Sequence, residues 1–215
     1  MQKRGRNYRN SGIKQLVINH ISENINIYFK ILIILIIGIC IGIALVNQLP
    51  ETGLQSINDY ITNSINTLKN NAEISKFQIL KTSIFKNIII VFLVWFLGLT
   101  LVGSLVLYFF TLIIGITFGY TLAAIMTTFT FGQGILFFLT AMLLQNIINI
   151  PSIIFLIVQG IKSHKEILTK QNNTLKIIIA KHSAYSIVVM ILLSLASLIE
   201  VYVSGNLVYT IAKYL

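Results

Sequence analysis

The chain has 215 residues, of which 56% are hydrophobic and only 10% charged, with a formal net charge of +10. Soluble globular proteins run at roughly 45–50% apolar and about 25% charged, whereas here no charged residue occurs anywhere from Asn87 to Ile161. This excludes a soluble enzyme, a disulfide scaffold and a disordered tail, and leaves an all-α, polytopic membrane protein.

Residues 1–30 are basic, with Lys3, Arg4, Arg6, Arg9, Lys14 and Lys30 against Glu23 alone. Within them Ile13, Val17, Ile21, Ile25 and Phe29 recur every four residues, the period of an amphipathic helix lying at a membrane interface. The first apolar run, 31–49, is long enough to span a hydrocarbon core of about 30 Å. A cleaved signal peptide would need small residues at its end, and Asn47-Gln48-Leu49-Pro50 lacks them, so the run reads as an uncleaved anchor. Cys40 lies inside it and, being the sole cysteine, forms no internal disulfide.

Residues 50–83 form a polar connection whose Lys69, Lys76 and Lys81 are offset by Glu51, Asp59 and Glu73. Leu54, Ile57, Ile61, Ile65 and Leu68 are spaced three or four apart, and Ile74, Phe77, Leu80 and Ile84 repeat the pattern. Both sets predict amphipathic helices, suited to the membrane surface or to a partner.

The uncharged stretch then divides at Gly103-Ser104 and at Thr127–Gly134, where breaking residues cluster. This predicts spans at 84–102, 105–127 and 135–160. A basic loop at 161–182 carries Lys162, Lys165, Lys170, Lys176 and Lys181 against Glu166, and a last span at 183–203 leaves a short tail at 204–215. The positive-inside rule puts residues 1–30 and 161–182 in the cytoplasm, which requires three crossings between the weakly charged connection and the second basic loop. Five spans result, with the N-terminus cytoplasmic and the C-terminus extracytoplasmic. Basic residues split in this way serve topology and contact with membrane lipid rather than nucleic acid.

Chemistry inside the bilayer calls for ionisable groups held at depth. The first four spans have none, and Glu200 and Lys181 near the ends of the fifth read as reaching the interfaces. No catalytic, cofactor-binding or metal-ligating constellation emerges. His20, His164 and His182 lack a ligand spacing, and there is no glycine-rich phosphate loop. The spans offer small-residue faces instead: Gly38-x-x-x-Gly42 in the first, and Gly115-x-x-x-Gly119 followed by Ala123 in the third. Such faces let helix backbones approach closely, within the chain, in a homo-oligomer or against partner helices. The fourth span carries Gln145, Asn146, Asn149 and Pro151. Proline removes one backbone donor and frees the carbonyl of Ile147, so these groups predict interhelical hydrogen bonds or a polar notch.

The succession Trp95-x-x-Gly98-x-Thr100-x-x-Gly103, then Gly115-x-x-x-Gly119, then Leu144-Gln145-Asn146 and Pro151 resembles the stage II sporulation protein M family. The likeness extends to the basic N-terminus, the Ile/Gly-rich first span and the polar connection. The resemblance implies a non-catalytic membrane scaffold of the mother-cell septal or engulfing membrane. It would recruit the stage II sporulation proteins P and D, which degrade peptidoglycan during forespore engulfment. On that reading residues 54–84 and the glycine faces of the first and third spans hold the partners. The rival expectation is a small permease or channel subunit with the fourth-span notch in its pathway.

Overall fold

A computed structural model describes residues 13–70, 76–100, 102–169 and 175–207. Ile74 lies outside them, and so do the side chains of Ile13, Val17 and Leu68. Among the described residues every element is helical: α1 Ile13–Glu23, α2 Ile25–Asn47, α3 Glu51–Asn70, α4 Lys76–Leu99, α5 Gly103–Thr128, α6 Phe131–Phe138, α7 Leu144–Thr169 and α8 Leu175–Ile199. A π-helical turn, Leu139–Leu143, joins α6 to α7 without a break, and a second, Glu200–Ser204, extends α8. Among the described residues five helices are long and apolar enough to cross a membrane: Ile25–Asn47, Lys76–Leu99, Gly103–Thr128, Phe131–Thr169 and Leu175–Leu207.

The five expected spans are therefore present, but the helices outrun them. The second begins at Lys76 rather than at 84, and the supposed basic loop is mostly the end of α7, through Lys165, and the start of α8, through Lys176 and Lys181. Hydropathy marks where a helix becomes apolar, whereas the helix itself continues while its backbone is paired. Large apolar side chains stay exposed along the spans, including Ile36 and Ile37 on α2, Phe85 and Phe92 on α4, and Ile187 and Ile191 on α8. A water-soluble surface does not tolerate so much apolar area; a lipid-facing one requires it.

α7 is the central helix. Residues 156–161 are all buried in succession, so α7 is covered on every side there, and α2, α4, α5 and α8 all pack against it. The core gathers Leu156, Ile157 and Ile161 with Ile31, Val94, Leu107 and Leu193. At one end of the bundle α1 folds back against α7. The buried His20 Nε2 lies 3.0 Å from Gln159 Oε1, and Lys162 Nζ lies 3.3 Å from Glu23. Burial holds the His20 imidazole below its ordinary pKa against the opposing pull of the Gln159 bond, which suits a neutral ring wedged between Phe155 and Tyr185. The remaining apolar stripe of this segment, Ile21, Ile25 and Phe29, is exposed.

At the opposite end, Pro50 starts α3 by presenting its carbonyl to the Gly53 and Leu54 amides at 2.9 and 3.1 Å. α3 packs on α5, fixed by a hydrogen bond of 2.8 Å from Thr128 Oγ1 to Asn58 Oδ1. Its apolar stripe turns inward: Ile65 is buried and Leu54, Ile57 and Ile61 are half-buried. The stripe expected to meet a partner is thus largely covered by the chain's own bundle. What α3 leaves open is its polar face, with Ser56, Asp59, Asn63 and Tyr60 exposed.

Candidate functional site

Besides the α3 stripe, two kinds of feature were expected to carry function, the glycine faces and the fourth-span amides, and the structure uses them differently. The two small-residue faces meet each other. A Cβ on Gly38 would stand 2.6 Å from the Leu112 carbonyl oxygen, and one on Gly42 would stand 2.2 Å from that of Ile116. From the other side, Gly115 faces the Leu35 carbonyl at 2.5 Å and Gly119 the Ile39 carbonyl at 2.2 Å. Nothing larger than hydrogen fits at any of the four, and α2 and α5 lie backbone to backbone. The motifs are consumed inside the chain, which leaves no free glycine face on α2 or α5 for a partner helix.

A second close crossing lies on the far side of the core. A Cβ on Gly98 would meet Gly160 Cα at 2.8 Å and His182 Nε2 at 2.7 Å. His182, fully buried, is 3.2 Å from the Trp95 carbonyl, and the half-buried Trp95 donates its indole N–H to Ser183 Oγ at 3.0 Å. Gly103 closes the α4–α5 turn, where a Cβ would strike the Leu97 carbonyl at 1.8 Å.

The amides do something else. Gln145, Asn146 and Asn149 line a cleft of about 800 Å³ whose walls are α4 and α5 and whose back is α7. Pro151, two residues past Asn149, is exposed and leaves α7 continuous. The π turn at Leu139–Leu143 stands immediately before the amides. A π turn inserts one extra residue and rotates the rest of the helix about its axis, and such turns recur at functional sites. The second π turn begins at Glu200, which belongs to the same cleft.

Glu200 stands near the end of the last span, and its side chain turns there to neighbours in the bundle. Its carboxylate accepts a hydrogen bond from Ser83 Oγ on α4. With the Gln145 amide oriented as its surroundings require, the side-chain nitrogen donates to both carboxylate oxygens at 3.2 and 3.3 Å. Three helices are thereby tied at one carboxylate. Beside it, buried Asn87 donates to the Leu193 carbonyl at 3.1 Å and to Ser197 Oγ at 2.8 Å. Asn149 Oδ1, shut from solvent, has no hydrogen-bond partner among the described residues.

The cleft is graded along its length. Polar groups gather toward the α3 end: Thr82, Ser83 and Lys86 on α4, Thr117 and Thr121 on α5, and Glu200. Toward the α4–α5 turn the lining becomes Ile90, Phe110, Ile114 and Ile153. Sequence reasoning found the amides but missed Ser83, Lys86, Thr117 and Thr121, which look like ordinary interruptions of apolar runs. A partial signal existed in α4, where Thr82, Lys86 and Ile90 recur every four residues on one face.

The family model described as Stage II sporulation protein M matches residues 31–205. The chain belongs to the stage II sporulation protein M family. The match takes in most of the first and last spans, the other three whole, α3 and every residue of the cleft, and marks a sporulation-related, multi-pass membrane protein. No curated protein and no solved structure matches the chain.

Proposed function

We propose that this member of the family is a non-catalytic membrane scaffold of the mother-cell septal or engulfing membrane, which recruits the peptidoglycan-degrading sporulation proteins P and D. The observation that carries the reading is α3. Twenty residues of polar helix are held against the end of α5 by their own apolar stripe, so that a rigid, hydrogen-bonding face points away from the bundle. The α1 end of the bundle is the basic one, and the positive-inside rule puts it in the cytoplasm. α3 then lies outside, on the side where peptidoglycan and the enzymes' catalytic domains are found. The apolar stripe fixes the platform and the polar face meets the partner, with Tyr60, 75% exposed, as its aromatic anchor.

The test is recovery of the P protein with the tagged chain from sporulating cells. Replacing Asp59→Lys and Tyr60→Ala together alters only exposed side chains, so membrane levels should hold while recovery falls about tenfold, the usual effect of losing an aromatic anchor. Undiminished recovery at equal membrane level would remove α3 as the docking element.

A further inference from the structure

We propose that the cleft between α4 and α5 binds a phospholipid carrying a primary ammonium beside its phosphate, of the phosphatidylethanolamine class, with an acyl chain running toward the α4–α5 turn. The inference is independent of the scaffold role of α3.

The cleft opens sideways between two spanning helices. Lys86 on α4 and Ile113 and Thr117 on α5 are exposed at its mouth, so a bilayer lipid reaches it by lateral diffusion. Its volume of about 800 Å³ falls within the usual size of a ligand site, about 300–1,000 Å³. It accommodates a headgroup with part of a chain. The grading from polar to apolar along the membrane normal matches an amphiphile's own, whereas a purely polar solute would leave Ile90, Phe110 and Ile153 against nothing apolar.

Charge selects the headgroup. Glu200 is held in one orientation by Ser83 and Gln145, yet a carboxylate offers about four acceptor sites, which leaves room for an ammonium donor. Lys86 stands one helical turn along α4 from Ser83 and supplies the cation for a phosphate. An ammonium–phosphate pair answers both groups. A purely anionic headgroup would satisfy Lys86 and set a second negative charge toward Glu200, while a quaternary ammonium has no N–H to donate.

Native mass spectrometry of the full chain in detergent tests this, with phosphatidylethanolamine, phosphatidylglycerol and phosphatidylcholine added separately at equal concentrations. The ethanolamine lipid should be retained about tenfold better than either of the others, the scale of one charge-assisted hydrogen bond. Glu200→Gln should erase the preference. Thr117→Phe, a change at an exposed position that fills the mouth, should lower retention of the ethanolamine lipid and decides the matter if Glu200→Gln does not fold. Equal retention of the three lipids, preference for the glycerol or choline headgroup, or an ethanolamine preference that survives Thr117→Phe would overturn the proposal.

Discussion

Gly119→Leu should prevent the chain from reaching its folded, monodisperse state in detergent, and Gly119→Ala should already destabilise it by about 1–3 kcal/mol, the ordinary cost of overpacking. The reason lies in what the new atoms meet. A Cβ at 119 would stand 2.2 Å from the Ile39 carbonyl oxygen and 2.8 Å from Ile39 Cα, all backbone, so no side-chain rotation relieves it. The remaining course is for α2 and α5 to separate, and that is the most extensive helix–helix interface in the molecule. Without a hydrophobic drive between spanning helices, close packing is what holds such a pair together. Gly132→Ala is the matched control. Among the described residues nothing lies within 4 Å of a Cβ there, and alanine gains up to about 1 kcal/mol of helix propensity over glycine, so this variant should be neutral or slightly stabilised. Thermal unfolding followed by the fluorescence of Trp95, the sole tryptophan, separates the two. Equal midpoints for Gly119→Ala and Gly132→Ala would refute the backbone-to-backbone crossing.

The second large effect is expected at the other close crossing, where two glycines are not equivalent. Gly98→Ala drives a Cβ to 2.7 Å from His182 Nε2 and 2.8 Å from Gly160 Cα. Giving way there would break the bond from His182 to the Trp95 carbonyl and leave that imidazole buried and unpaired, at a cost of about 1–3 kcal/mol beyond the steric term. Gly160→Ala meets chiefly Leu107 Cδ1 at 2.9 Å, the end of a side chain that can turn aside. Size-exclusion profiles and helical circular dichroism melts should therefore rank Gly98→Ala well below Gly160→Ala. His182→Ala should relieve Gly98→Ala only in part, because the contact with the Gly160 backbone remains. The reverse ranking would show that α4 and α7 are not held at this distance.

The number of spans was legible in the sequence because charge and hydropathy constrain each other: two basic segments on one side demand an odd number of crossings through the uncharged stretch. The small-residue faces were legible as sites of close approach, but not their addressee. Gly38 and Gly115 announce that some backbone comes near, and which one depends on how five helices are arranged. The partners of Glu200 were not legible for a similar reason. A carboxylate near a helix end ordinarily reaches for water. This one is turned inward by Ser83 and Gln145, which lie far away along the chain and become neighbours only in the bundle. The apolar stripe of α3 was seen correctly as a stripe. Periodicity alone does not say whether a stripe is covered by a partner or by the same chain, and here α5 reaches far enough to take it. The π turns left no trace in composition, since any apolar run can host one.

The proposed role depends on α3 lying outside the cell membrane with its polar face open. Cysteine accessibility measures this directly, in a Cys40→Ala background that removes the natural thiol. A membrane-impermeant maleimide applied to intact protoplasts should label Asp59→Cys, and should label Lys165→Cys only after lysis. Labelling of Lys165→Cys in intact cells with Asp59→Cys protected until lysis would invert the bundle and contradict the proposed role.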